Sequence, residues 1–136
     1  MKATWNEFKV SAVYKGDKAA GWATDRMPEN YNRHIVTVKN TLTGKVTRFD
    51  YWTSQAQPDM RDAKDALLAF MAFVEDAVAA DQNKNIDEFS REFGYKKISE
   101  AYQAWHGCNR ALAKVKRIIG DRDLYEFANS LREVDS

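Results

Sequence analysis

The chain has one cysteine, Cys108, and two histidines, His34 and His106. His106 and Cys108 lie two residues apart, which raises a thiol nucleophile with its base, or part of a metal site, and both need side chains that converge. Residues 101 to 119 carry apolar positions at helical spacing, and in a helix residues two apart diverge by about 200°. Cys108 also falls on the apolar stripe of that helix, where a free cysteine behaves as a small hydrophobe. His34 belongs to a strand-like run, and no third orienting residue can be named for it. Gly16 and Gly21 build neither a phosphate loop nor a dinucleotide fingerprint. No catalytic residue, metal site or cofactor is therefore expected, and the chain does not read as an enzyme.

Carboxylate pairs are the next candidates: Asp62 with Asp65, Glu75 with Asp76, Glu88 with Glu92. Paired acids can work a glycosidic bond or hold a cation, but acids on the polar face of a surface helix are usually solvated, and no spacing here singles out one pair. Asp59, Asp62 and Asp65 together form an acidic face at the start of a helix, of a kind that could occlude a nucleic-acid channel. Arg110, Lys114 and Arg117 share a helical face at spacings of four and three, which could meet phosphates or a protein surface. Trp22, Met27 and Tyr31 sit in or beside an irregular stretch and are residue types that anchor interfaces. With Lys96 and Lys97, which stand at an exposed corner between two helices, these make up the expected partner-binding residues.

The elements that must position them divide the chain into two textures. Residues 1–53 are rich in Thr, Val, Tyr and Trp in alternating patterns, and residues 58–132 are rich in Ala, Leu, Lys and Glu at helical spacing. This is an α+β arrangement in one domain over 1–136: a small antiparallel sheet of about three strands, then about four helices. Phe8, Val10, Ala12 and Tyr14 alternate with polar positions in a strand that ends near Gly16-Asp17; residues 16–30 read as a loop. "HIVTVK" and "KVTRFDY" flank "NTLTGK" as a hairpin, with Gly44 placed to take the left-handed conformation. A helix is expected over 58–80, with Leu67, Phe70 or Met71, Val74 and Val78 inward. Asn85 with Glu88 resembles a capping box, and Gly94 stops the short helix that it opens. Ser99 is placed to cap the next helix, whose stripe runs Ala101, Trp105, Cys108, Leu112, Val115, Ile119. Tyr95 and Ile98 are expected to tuck the turn against the core. Gly120 ends that helix and Asp121 caps the last one.

At 136 residues, 44% hydrophobic and 30% charged, the chain is long enough for a core of its own and close to the average for globular domains. The longest apolar run, residues 66–74, is too short to cross a bilayer. The first residues lead into charge with no apolar stretch of signal-peptide type, so a cytoplasmic protein with no membrane partner is expected. The net charge of +1 conceals an uneven distribution: +4 over residues 1–57, −5 over 58–95 and +2 over 96–136. That is neither a uniformly acidic nucleic-acid mimic nor a strongly basic binder.

With the segments placed, "YNRHIVTVKNTLTGKVTRFDYW", "DALLAFMAFVEDA", "IDEFSREFGY", "ISEAYQAWHGC" and "KVKRIIGDRDLYEF" together resemble a broad group of short accessory proteins encoded by bacteriophages, prophages and other mobile elements. The likeness spans roughly residues 31 to 131, mostly at apolar and capping positions. Where many of that group carry Asp after the Gly-Tyr, this chain has Lys96, Lys97 and Ile98. The resemblance implies an anti-defence protein of the anti-CRISPR kind, acting in the bacterial host cytoplasm by stoichiometric binding. Its partner would be a host defence effector such as a CRISPR–Cas complex. A nucleic-acid-binding accessory or regulatory protein that uses the basic C-terminal helix is the alternative; an enzyme or sponge for a defence signal is a third.

Overall fold

The computed structural model describes residues 7–16, 32–53 and 63–135. Three strands, β1 (Phe8–Gly16), β2 (Asn32–Asn40) and β3 (Val46–Thr53), precede four helices, α1 (Ala63–Gln82), α2 (Ile86–Phe93), α3 (Ile98–Ile119) and α4 (Leu124–Asp135). The α+β arrangement with C-terminal helices is as the sequence pattern requires. The loop expected after Gly16 and the helical start expected at Pro58 lie outside the described residues.

The strands form one antiparallel sheet in the order β1-β2-β3. Val10 pairs with Val38, Ala12 with Val36, and Val36 in turn with Phe49. This register puts Phe8, Val36, Val38 and Phe49 on the inner face, all buried, while Lys9, Ser11, Val13, Arg48 and Asp50 point to solvent. The alternation is the pleat of a sheet with one dry face. In the β2–β3 turn Gly44 adopts φ +77 and donates its N–H to the Asn40 carbonyl at 2.8 Å, as Asn40 does to Lys45 at 2.9 Å. A side chain at Gly44 would have to adopt that left-handed conformation, which glycine takes without steric cost.

Helix α1 packs against α3 and α4 and reaches the sheet through its rings. Phe70 lies 5.3 Å from Phe8 and 5.8 Å from Phe127, centroid to centroid, and Phe8 and Phe127 close the triangle at 5.5 Å. Phe73 stacks on Phe49 at 4.0 Å with 7° between planes. Because α1 meets partners on several sides, its buried face is wider than the expected stripe and takes in Ala69, Phe73, Ala77 and Ala80 besides Leu67, Phe70, Val74 and Val78.

Two expected caps are displaced. Ser99 lies inside α3, whose N-cap is Lys97, with extended backbone and no side-chain hydrogen bond. The exposed first turn of α3 leaves its free N–H groups to water, so a capping hydroxyl is not required. At α4 the capping carboxylate is Asp123, which accepts from the N–H groups of Tyr125 and Glu126 at 3.0 Å each; Asp121 lies two residues too early.

Candidate functional site

The corner between α2 and α3 is built by local signals. Asn85 adopts extended backbone at the N-cap of α2, and its Oδ1 accepts from the Glu88 N–H at 3.0 Å. The return arm of the expected capping box reaches one residue further, with Glu88 Oε2 accepting from the Lys84 N–H at 2.8 Å. Gly94 ends the helix at φ 70, and the Tyr95 N–H closes the turn on the Ser90 carbonyl at 3.1 Å. Phe89, only 2% exposed, anchors this corner, with ring contacts to Phe93 at 4.8 Å, Tyr95 at 5.9 Å and Trp105 at 5.2 Å.

Tyr95 and Ile98 do not tuck into the core. Phe93, Tyr95, Ile98 and Tyr102 are 50%, 37%, 61% and 48% exposed. A short connection joins the two helices here with no element packed over it among the described residues, so side chains that alternate around the turn cannot all reach the interior. Lys96 and Lys97 stand exposed among these apolar residues.

Two hollows flank Tyr95. The larger is an open groove of about 580 Å³ between α1, α2 and α3, with Glu75, Asp76 and Glu92 at its charged positions and Phe89, Phe93 and Tyr95 as aromatic walls. The smaller, about 380 Å³, contains Arg91, Lys96 and Lys97 with Asp87, and also has Tyr95 as a wall. The groove is a poor home for anions. Desolvation by the surrounding protein, and secondarily the charge of Glu75, push the Asp76 carboxyl up to about 6, although the residue itself is exposed at the surface. Burial and then Asp76 push the Cys108 thiol up to about 12. Tyr95 shifts upward too, first by burial and then by the charges of Cys108, Asp76 and Glu100. Removal from water and negative neighbours both favour the neutral acid, and here they add.

The acidic pairs weighed in the sequence separate. Glu75 is held by Arg132 of α4 in a two-pronged bond, Nε to Oε1 and a terminal nitrogen to Oε2, both 2.8 Å. Its neighbour Asp76 has no hydrogen bond or ion pair among the described residues. Glu92 accepts from the Asn83 side-chain amide at 3.1 Å. Asp59 and Asp62 lie outside the described residues, and Asp65 is placed by its backbone alone, in the first turn of α1.

His106 and Cys108 diverge. His106 is exposed and stacks on Tyr102 at 5.9 Å, whereas Cys108 lines the groove. His34 is buried on the inner face of the sheet, where burial lowers its pKa. Arg110, Lys114 and Arg117 are exposed on α3, but Lys114 donates a hydrogen bond to the β3 backbone, Nζ to the Arg48 carbonyl at 2.8 Å. Along α3, Arg110 is about 20 Å from Lys97 at the helical rise, so the two basic groups do not form one patch. Trp22, Met27 and Tyr31 lie outside the described residues. Sequence reasoning missed the exposure of Phe93, Tyr95, Ile98 and Tyr102; the signal available was a run of large apolar residues spaced too closely for one helical stripe.

Among the described residues no group of three or more His, Cys, Asp or Glu is arranged to hold a metal ion, and no helix is long and apolar enough to cross a membrane. Comparison with known proteins yields no match to a family model, a curated protein or a solved structure.

Proposed function

We propose that the protein is a phage or mobile-element accessory protein that inhibits a host defence effector, of the CRISPR–Cas kind, by stoichiometric binding and without catalysis. The α2–α3 corner is the contact surface. The observation that carries this reading is the exposure of Phe93, Tyr95, Ile98 and Tyr102 within a stretch of ten residues, beside hollows of opposite charge. Contiguous exposed apolar residues rimmed by polar ones are the usual mark of a protein-binding surface. The mobile-element likeness supplies the class of partner. Lys96 and Lys97 remain part of the surface. The test is an immunity assay in a bacterial host with an active defence system, paired with co-purification of the effector. Wild-type protein should suppress immunity and co-purify with one effector at fixed ratio, and Ile98→Asp should lose both. Suppression without a stable partner, or full activity of Ile98→Asp, removes the reading.

A second reading is nucleic-acid binding through Arg110, Lys114 and Arg117, favoured by their exposure on one face of α3. It requires DNA affinity that falls steeply with salt and with charge reversal at Arg110; absence of binding at low salt ends it.

A further inference from the structure

We propose that the groove between α1, α2 and α3 holds a guanidinium group, the head of an arginine side chain presented by the partner protein. Among the described residues the groove's charged lining is one-signed: Glu75, Asp76 and Glu92 carry carboxylates and no Lys, Arg or His lines it. Beside it stand the cations Arg132, already on Glu75, and Arg110, next to Gly107. These acids are not equivalent. Glu75 already binds a guanidinium, that of Arg132, with both oxygens. Glu92 is steadied by Asn83 through Oε2. Asp76 alone has no ion pair or hydrogen bond among the described residues, and it lines the groove together with Cys108, whose thiol feels its charge.

The walls narrow the choice of cation. Phe89, Phe93 and Tyr95 offer ring faces, and Ala79, Ala104 and Gly107 are small enough to leave room beneath them. A guanidinium is planar, weakly hydrated, stacks on aromatic rings and bonds a carboxylate with two parallel N–H groups. A lysine ammonium is compact and strongly hydrated, so it gains less from aromatic walls and loses more on leaving water. The raised pKa values of Asp76, Cys108 and Tyr95 have the sign that a negatively charged groove produces, and a bound cation would reverse it for Asp76. Because the groove is open rather than enclosed, its occupant arrives on a protruding side chain, next to the exposed Tyr95 and Ile98.

The inference rests on the reading that the protein works by binding, and it names what one part of the surface binds. Its test uses small probes in place of the partner, so the two can fail separately. Benzamidinium, an aromatic ring with a planar cationic head, is titrated against the full chain beside benzamide, its neutral counterpart, with the amide signals of Tyr95, Gly107 and Cys108 followed by NMR. Benzamidinium should bind at least about tenfold more tightly, the worth of one charge-assisted contact, and Asp76→Asn should abolish the preference while leaving the remaining spectrum unchanged. Equal affinities, a preference that survives Asp76→Asn, or no shift of these amides overturns the inference. So does full inhibition of the effector by Asp76→Asn, because the partner's arginine then has no role there. Failure of the immunity assay with the benzamidinium preference intact removes the anti-defence reading alone.

Discussion

The ring of Tyr95 lies nearly parallel to that of Phe89, with 5.9 Å between centroids and 14° between planes. Through this contact one side chain walls both the acidic groove and the basic hollow. Phe89 is fixed in turn against Trp105 of α3, so a surface-exposed tyrosine gains the support of a buried anchor. Aromatic residues with few rotatable bonds that are held before the partner arrives lose little entropy on binding, and such residues dominate interface energetics.

Substitution at the corner should separate binding from folding. Ile98→Asp, at a position 61% exposed, should change unfolding free energy by no more than about 0.5 kcal/mol, the usual range for surface positions. Phe89→Ala removes a ring that is 2% exposed and should cost about 3–5 kcal/mol. Urea titrations of both variants check this. A large stability loss in Ile98→Asp would mean that Ile98 is covered and that the apolar surface does not exist.

Asp76 should make the protein less stable at neutral than at mildly acid pH. Its carboxyl is raised from the ordinary value of 3.8 to about 6 in the folded state, so between those values the folded chain holds a proton that the unfolded chain has lost. The stabilisation is complete below about pH 4 and disappears as pH rises through about 6. Its charged neighbour is Glu75, itself bound to Arg132, and Glu92 from α2 with Tyr95 and Cys108 from the corner and α3 line the same groove. Asp76→Asn should raise the melting temperature at pH 7, with the gain shrinking towards pH 4. A gain that does not depend on pH would place its origin outside this titration.

Cys108 should react slowly. With the thiol pushed up to about 12, the thiolate at pH 8 is on the order of one in ten thousand, against about one in four for an ordinary thiol. Alkylation by iodoacetamide at pH 8 should run at least about tenfold slower than for glutathione, recover in urea, and quicken in Asp76→Asn as the second cause of the shift is removed. Native-state labelling as fast as glutathione would contradict the assigned environment.

Local signals were legible and tertiary ones were not. The strand alternation of Phe8 and Val10, the left-handed positions Gly44 and Gly94, and the Asn85 cap depend on a few neighbouring residues, and each lies where the pattern puts it. Ser99 failed because a cap is dispensable where water reaches the helix end. The α3 stripe was misread in part: Trp105, Cys108 and Leu112 are only half-buried, and Ala111 and Ile118 take their share of the core. Periodicity locates a face but not its width, which depends on how α1 crosses α3. The groove was illegible for the same reason, since Asp76 and Cys108 meet only when those helices pack. Nothing in the adjacent Glu75 and Asp76 tells which one Arg132 will claim.

Asn40 illustrates what a turn residue can contribute beyond its turn, and it gives the sharpest stability test. Its Oδ1 accepts from the Leu42 and Thr43 N–H groups at 3.0 and 3.3 Å, holding the hairpin turn. Its Nδ2 donates to the Ile118 carbonyl at 2.9 Å, a buried bond across the chain to the last turn of α3. The end of a helix leaves carbonyls without partners, and one that is buried needs a donor from elsewhere. Asn40→Ala removes both functions at a residue that is 2% exposed, and should cost about 2–4 kcal/mol from unsatisfied buried groups. Asn40→Asp preserves the shape and the turn but replaces the donor with a carboxylate oxygen beside the carbonyl of Ile118 and the negative end of the α3 dipole. Its stability should fall as pH rises through the carboxylate range and come closest to wild type in acid, where the protonated acid can donate again. Thermal melts of both variants from pH 4 to 8 decide the matter: an Asn40→Asp curve parallel to wild type would show that the bond to Ile118 does not hold the hairpin to the helix.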